Sequence, residues 1–477
     1  MMSVNASTAN APSLRMGEEV SKLFVFDVRL GTREDNEHEK ILFYHPATDP
    51  LNKQQSEVGL AEALINFTKT FSPNEPCRAV RTDKTRKVFF QPEEDVWMVM
   101  VLSKPSRDGD KYGDQDLADA ALHALVRGAY DMFCLFHSRF SEVVRVTGAQ
   151  GLRSKLALLL PSFLATLPPF HTLDLGFTLR GVRFFPVDRA TFLSLQSFFH
   201  LTQQDFPSVR FAVCLLADML VWSSLPSSAD TNVLYTYLAS QVAPRANRRE
   251  AKDKDAPPLF APFNKTWILP ADMINTSPPQ LQAAIHRIPL VHLGLARGSG
   301  GEPGWTGYKK QSPPPGGGGA GGKDGAGAAG AASEEGGEVC HLVLFTQGRL
   351  TWAFLIDESE GLGGSGEYLK SLAALSAPSL RQLEKTLAGL EARTQQGTSD
   401  DPYKYLYFNK MNLALKDGLA QAAGKGVTIS PVLQELVVDM HFSFGGSTSA
   451  GRPSCKPAHR AAPDEVAAGG AVGEEGA

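Results

Sequence analysis

KILFYHPATDPLNKQQSEVGLAEALINFTKTF, residues 40–71, changes its apolar period once, and that change decides the fold. Lys40–His45 is a short, nearly continuous apolar run, the pattern of a buried strand. From Gln54 to Phe71 the period lengthens: Leu60, Leu64, Phe67 and Phe71 recur at i, i+4, i+7 and i+11, with Val58, Ala61 and Ile65 beside them. That spacing predicts an amphipathic helix with a wide apolar face. Ser72-Pro73 ends it, because the residue before proline is pushed out of the helical region. The apolar positions fill more than one stripe, more than a helix packed on one sheet face needs. Leu60, Leu64, Phe67 and Phe71, with Trp97 on the adjacent sheet, are therefore candidate partner-binding residues.

Working outward, Leu23–Val28 is a second short apolar run. Strands are expected at 77–81, 87–90 and 96–102, the last apolar throughout and so buried on both faces. Helical periodicity then spans 117–140 and 152–167. The order ββαβββαα predicts a five-stranded sheet with one crossover helix, backed by two more: an α/β sandwich of the longin or roadblock kind. Residues 1–21 lack periodicity and read as a disordered leader, so this first unit covers 22–170.

A similar order recurs imperfectly. Strand pairs at 177–187 and 210–223 and helices at 189–201 and 231–242 predict a second longin-like unit over 171–244. The charge-dense, Pro-ended stretch 245–258 reads as a linker. A third longin-like unit is expected over 259–444, split by a Gly/Ala/Pro-rich insert at 297–338 that has no means of building a core. It carries a hairpin around Thr346-Gln347-Gly348-Arg349, a helix at 368–390, strand-like residues at 403–415 and a last helix at 431–440. Residues 445–477 read as a disordered tail. The predicted class is thus α/β, with three longin-like sandwiches, a disordered insert and disordered termini.

Bulk properties narrow the function. The chain has 477 residues, enough for about three domains, and 47 basic against 51 acidic side chains, a net charge of −4. That balance offers no footprint for a phosphate backbone, so no nucleic-acid partner is expected. The five cysteines are far apart and make no CxxC pair or Cys/His cluster, which predicts free thiols in a reducing compartment. Asn66 and Asn264 head glycosylation sequons, yet residues 1–20 lack the apolar core of a signal peptide. Leu156–Leu167, broken by Pro161, is too short to span a bilayer, so membrane contact is expected to be peripheral.

Patterns that suggest chemistry each have a plainer reading. Gly361-Leu362-Gly363-Gly364-Ser365-Gly366, with Glu384 beyond it, matches the dinucleotide fingerprint, but Asp357, Glu358 and Glu360 would crowd a pyrophosphate and no βαβ repeat surrounds it. A flexible turn is expected, and a dinucleotide-dependent oxidoreductase is the remote alternative. His38, His45, His123, His137, His171 and His200 are scattered without metal-ligand spacing. Glu93-Glu94-Asp95 has no identifiable group across a cleft and reads as a solvated turn. The basic residues of 245–254 are interleaved with acids, which weakens a lipid-binding reading. No catalytic residue, cofactor or metal is expected.

Lys40–Pro46, Val58–Leu64, Phe67–Pro73 and Pro92–Met100 together closely resemble the Ccz family, the calcium-caffeine-zinc sensitivity proteins of vacuolar fusion. The likeness is dense over 23–102 and returns at Arg183–Phe199 and Tyr405–Lys416. The resemblance implies three longin domains, a heterodimer with the Mon (monensin sensitivity) subunit, and guanine-nucleotide exchange on a Rab-seven class GTPase. It also implies a cytoplasmic protein recruited peripherally to late-endosomal, prevacuolar and vacuolar membranes. The alternative is a longin-based adaptor or tether without exchange activity.

Overall fold

The structure is a computed structural model that describes residues 19–72, 77–103, 119–167, 179–242, 267–268, 284–293, 338–358, 366–396, 405–409, 411–417, 436–437 and 440–441. The first sheet is built from β1 (Glu19–Asp27), β2 (Ile41–His45), β3 (Ala79–Arg81), β4 (Thr85–Glu93) and β5 (Val96–Ser103). It is antiparallel, in the order β2-β1-β5-β4-β3. The single crossover between β2 and β3 is α1 (Leu51–Phe71).

Strand alternation divides the side chains between two layers. Phe24 and Phe26 of β1 join Tyr44, Phe89, Trp97, Val99 and Val101 under α1, which buries Val58, Ala61 and Ile65. Leu23 and Val25 face the other way, with Val88, Met98, Met100 and Leu102, against α2 (Asp119–His137) and α3 (Phe140–Thr166). This is the expected longin-type sandwich.

Details differ from the sequence reading. Strand β1 begins at Glu19, paired with Ser103, so the leader, expected to end at 21, is ordered from 19; residues 1–18 lie outside the described residues. The charged connection before β2 is a 3-10 helix, Glu34–Lys40. The helix expected at 152–167 starts at Phe140 and bends at Gly148, whose φ of 73° only glycine adopts without penalty.

Beyond Leu179 the chain forms β6 (Val182–Arg183), α4 (Arg189–Asp205), β7 (Val209–Leu216), β8 (Met219–Ser223), α5 (Ser228–Tyr237), β9 (Trp267–Ile268), β10 (Ala284–Leu293), β11 (Glu338–Gln347), β12 (Leu350–Asp357) and α6 (Gly366–Gln396). The helix starts are conventional, with the Asp188 side chain accepting the Thr191 N–H at 2.7 Å and Ser227 accepting that of Asp230 at 3.3 Å. The sheet order is β8-β7-β12-β11-β10-β9. Setting aside the two-residue β9, this repeats the first sheet: two strands, a helix, three strands, a helix, with the fifth strand paired to the first.

That pairing corrects the domain boundaries. Leu216 pairs with Leu350 and Ala212 with Phe354, so one sheet joins the units expected at 171–244 and 259–444. Both segments had an incomplete hydrogen-bonding edge, and each supplies the other's missing strands. The linker, residues 297–337 of the insert and 445–477 lie outside the described residues, but Glu338, placed in the insert, already begins β11. The strand expected at 177–180 is a turn at Leu179–Arg180, with 177–178 outside the described residues. Residues 405–409 and 411–417 contribute β13 (Leu406–Asn409) and β14 (Ala414–Asp417), which join β6 in a small sheet of order β13-β14-β6.

Helices α4 and α6 cover one face of the second sheet, where Trp352 packs edge-on against Phe198 at 4.9 Å. The other face meets α5 and, from the first unit, α2. Across this seam Phe136 and Tyr237 pack edge-on at 4.9 Å. Arg180 donates to Asp131 at 2.5 Å, and its carbonyl accepts from the Asn232 side chain at 2.6 Å.

Candidate functional site

The outer side of α1 is the candidate site. Leu60, Phe67 and Phe71 are 49%, 62% and 73% exposed, and Leu51 at the helix start is also exposed. The rings of Phe67 and Phe71 meet edge-on at 5.0 Å. Leu64 is different: it is half-buried and leans on the core beneath, so it belongs to the helix–sheet contact as much as to the surface. Trp97 is a correction. It is 1% exposed, near the start of β5, and is a core residue inaccessible to a partner. A large aromatic on a strand covered by helices on both faces has no route to solvent. Its link to the site is indirect, through Lys69, whose Nζ lies 5.8 Å from the ring centre.

Ion pairs fix the helix on the sheet. Glu57 bonds Lys22 of β1 and, at 2.9 Å, Lys87 of β4, while Glu62 bonds Lys40 at 2.9 Å. Lys22 and Lys87 flank Val101 in register, so Glu57 straddles three strands. Its carboxyl lies below the usual range: burial works to raise it, and the hydrogen bonds from the two ammonium groups overcome that. The exposed apolar ridge is therefore held in place before any partner arrives, which lowers the ordering cost of binding.

The other candidates resolve into structural roles. Glu93 is not merely a solvated turn: its carboxylate accepts the N–H groups of Phe140 at 2.5 Å and Ser141 at 2.8 Å, and the Tyr130 hydroxyl at 2.8 Å. It caps α3, where unpaired amides and the helix dipole favour an anion. Burial and the neighbouring Cys134 and Glu93 raise the Tyr130 hydroxyl, so it stays a donor. His137 is buried and His123 half-buried; desolvation foremost, then nearby cations, pulls His123 down to about 4 and His137 to about 3. Among the described residues no three His, Cys, Asp or Glu side chains are grouped to hold a metal, and Cys77, Cys134, Cys214 and Cys340 form no disulfide. Of Gly361–Gly366 only Gly366, the first residue of α6, lies within the described residues. His171 and Cys455 lie outside them.

Residues 20–138 match the family model described as the first longin domain of INTU, CCZ1 and HPS4. The chain is 28% identical over 429 residues to the vacuolar fusion protein CCZ1 homolog of Nematostella vectensis, spanning 88% of this chain and 84% of that protein. The homolog of Danio rerio is 28% identical over 438 residues, 88% and 82% of the two chains. That of Dictyostelium discoideum is 26% identical over 437 residues, 89% and 84%.

Proposed function

The chain belongs to the Ccz family and has a role in vacuolar fusion and trafficking, and from that premise we propose that it is a non-enzymatic subunit of a guanine-nucleotide exchange factor. In this reading its first longin domain pairs with a Mon subunit, and the pair acts on a Rab-seven class GTPase of late endosomes and vacuoles. Exchange needs no bond-breaking by the factor. A surface that binds the nucleotide-free GTPase more tightly than the loaded form lowers nucleotide affinity by linkage. The observation that carries the proposal is the rigid, exposed ridge of Leu60, Phe67 and Phe71 on the crossover helix of a longin domain. Such anchors contribute most when a partner desolvates them.

The test is release of fluorescent GDP from the Rab by the chain co-purified with its Mon partner. Leu60→Asp with Phe67→Asp is expected to weaken subunit pairing about a hundredfold, from the loss of two buried anchors, and to slow GDP release in parallel. Unchanged pairing together with unchanged release would refute the role of this face. Leu64 is left intact because its change would disturb the core.

A further inference from the structure

The seam between the two units holds a cavity of about 200 Å³. One wall is a single stripe of α2, where Leu125, Gly128 and Met132 recur at helical spacing; Phe163 of α3, Val233 of α5 and Ala239 in the π-helical turn that continues α5 add apolar surface around it. Gly128 keeps the space open. A helix-interior glycine costs stability, and a Cβ added here meets nothing within 4 Å, so no neighbour excludes a larger residue and what the glycine provides is room. The polar part of the lining is charged. Asp131 is buried and already held, by Arg180 at 2.5 Å and by Arg127 at 4.0 Å one helical turn away. Arg183 meets Asp218 at 3.8 Å, and the Asp218 side chain is 56% exposed, a loose contact that solvent screens. The Tyr235 hydroxyl donates to the Asp218 carbonyl at 2.8 Å and accepts the Arg183 N–H at 3.4 Å, which fixes the backbone on both sides of that pair. Three guanidinium groups thus meet two carboxylates, a surplus of one positive charge beside an apolar space.

We propose that this cavity is a binding site for a small monocarboxylate of about ten non-hydrogen atoms, its carboxylate on Arg183 and its apolar body against Gly128 and Phe163. A guanidinium receives a carboxylate through two parallel hydrogen bonds, a closer match than its screened contact with Asp218. A cation finds Asp131 taken and Asp218 half in solvent, and an uncharged ligand gains nothing from the surplus charge. Since α2 belongs to the first unit and α5 and Arg183 to the second, an occupant braces the seam from both sides. The inference goes beyond the exchange-factor reading and rests on the cavity alone, so either can fail without the other.

The experiment is ligand-observed NMR on the purified full chain, with 3-phenylpropionate, its amide and propionate as probes, together with thermal melts. The wild type is expected to bind 3-phenylpropionate saturably with a Kd on the order of 1 mM, the affinity that about ten non-hydrogen atoms supply. The amide should bind at least about fivefold more weakly, and propionate, which lacks the apolar body, not detectably. With 3-phenylpropionate at about ten times its Kd the thermal midpoint should rise by about 2–4 °C. Gly128→Leu fills the cavity and should weaken both aryl probes about tenfold or more. Arg183→Met keeps the stem of the side chain without its charge; it should bring 3-phenylpropionate down to the affinity of the amide and leave the amide unchanged. If the leucine disturbs the fold, Arg183→Met decides alone. No saturable binding by the wild type overturns the proposal. So does equal binding by the wild type and Gly128→Leu, which places the ligand elsewhere, and so does an amide that binds as well as the acid, which removes Arg183 from the recognition.

Discussion

Mild acid should destabilise this chain through two desolvated histidines, His137 buried and His123 half-buried. His137 ends α2, packed at 5.0 Å on Phe133 with Lys155 and His292 nearby; His123 stands edge-on to Phe90 at 5.3 Å, with Arg78 and Arg127 as its charged neighbours. Burial holds them neutral, with values of about 3 and about 4 against an ordinary 6.5. A base whose folded value is depressed stabilises the fold above the unfolded value, and loses that contribution as pH falls through about 6.5 toward the folded value. Between about pH 7.5 and about pH 5.5 the unfolded chain takes up nearly one proton per histidine and the folded chain almost none, a loss of about 1.4 kcal/mol each. His292, also lowered by burial, acts in the same direction. Together His123 and His137 remove about 3 kcal/mol, enough to lower the thermal midpoint by roughly 5–10 °C. Trp97 reports on the first sheet, and Trp222 and Trp352 on the second, so tryptophan fluorescence melts at the two pH values measure the effect. Replacing both histidines with Gln lowers stability at neutral pH but should flatten the pH dependence. A double variant that keeps the full wild-type pH slope would refute the assignment.

Three further outcomes follow from the packing. Glu93→Gln weakens the cap of α3 and its bond to Tyr130, and should cost about 1–3 kcal/mol in denaturant melts, with Glu93→Ala worse. Gly128→Ala should stabilise by about 0.5–1 kcal/mol, since a helix-interior glycine is costly and an added Cβ meets nothing within 4 Å in the cleft beside Asp131 and Tyr235. Leu60→Asp with Phe67→Asp should leave stability within about 1 kcal/mol of wild type, because both side chains lie on the surface; a larger fall would assign them to the core.

What the sequence disclosed depended on how local the determining contacts are. Strand β5 was legible because Val96–Leu102 is apolar at every position, and α1 because its buried residues Val58, Ala61 and Ile65 fall at helical spacing. The same runs misled about Trp97: an aromatic among apolar residues looks alike whether it ends in a core or an interface, and only the helices packed on both sides decide. Helix α3 begins earlier than its periodicity because its cap, Glu93, comes from 47 positions away. The second sheet was parsed as two units for a related reason. Its first strand pairs with its last, across the linker and the insert, while β10 carries Pro289 at a register shift between Ile288 and Val291, which hides the strand in the sequence. The exposed ridge of α1 was readable as excess apolar character; the cap and the shared sheet were not.

Helix α2 touches β4 and β5 on one side and β10 and α5 on the other. It is a party wall: the side chains that finish one room also finish the next. Excising the matched segment 20–138 would strip Leu125, Met132 and Phe136 of their far neighbours and leave them facing water. Fragments cut at that border are therefore poor surrogates for the protein, and a lesion in this helix should unsettle both halves together, however far apart their own surfaces lie.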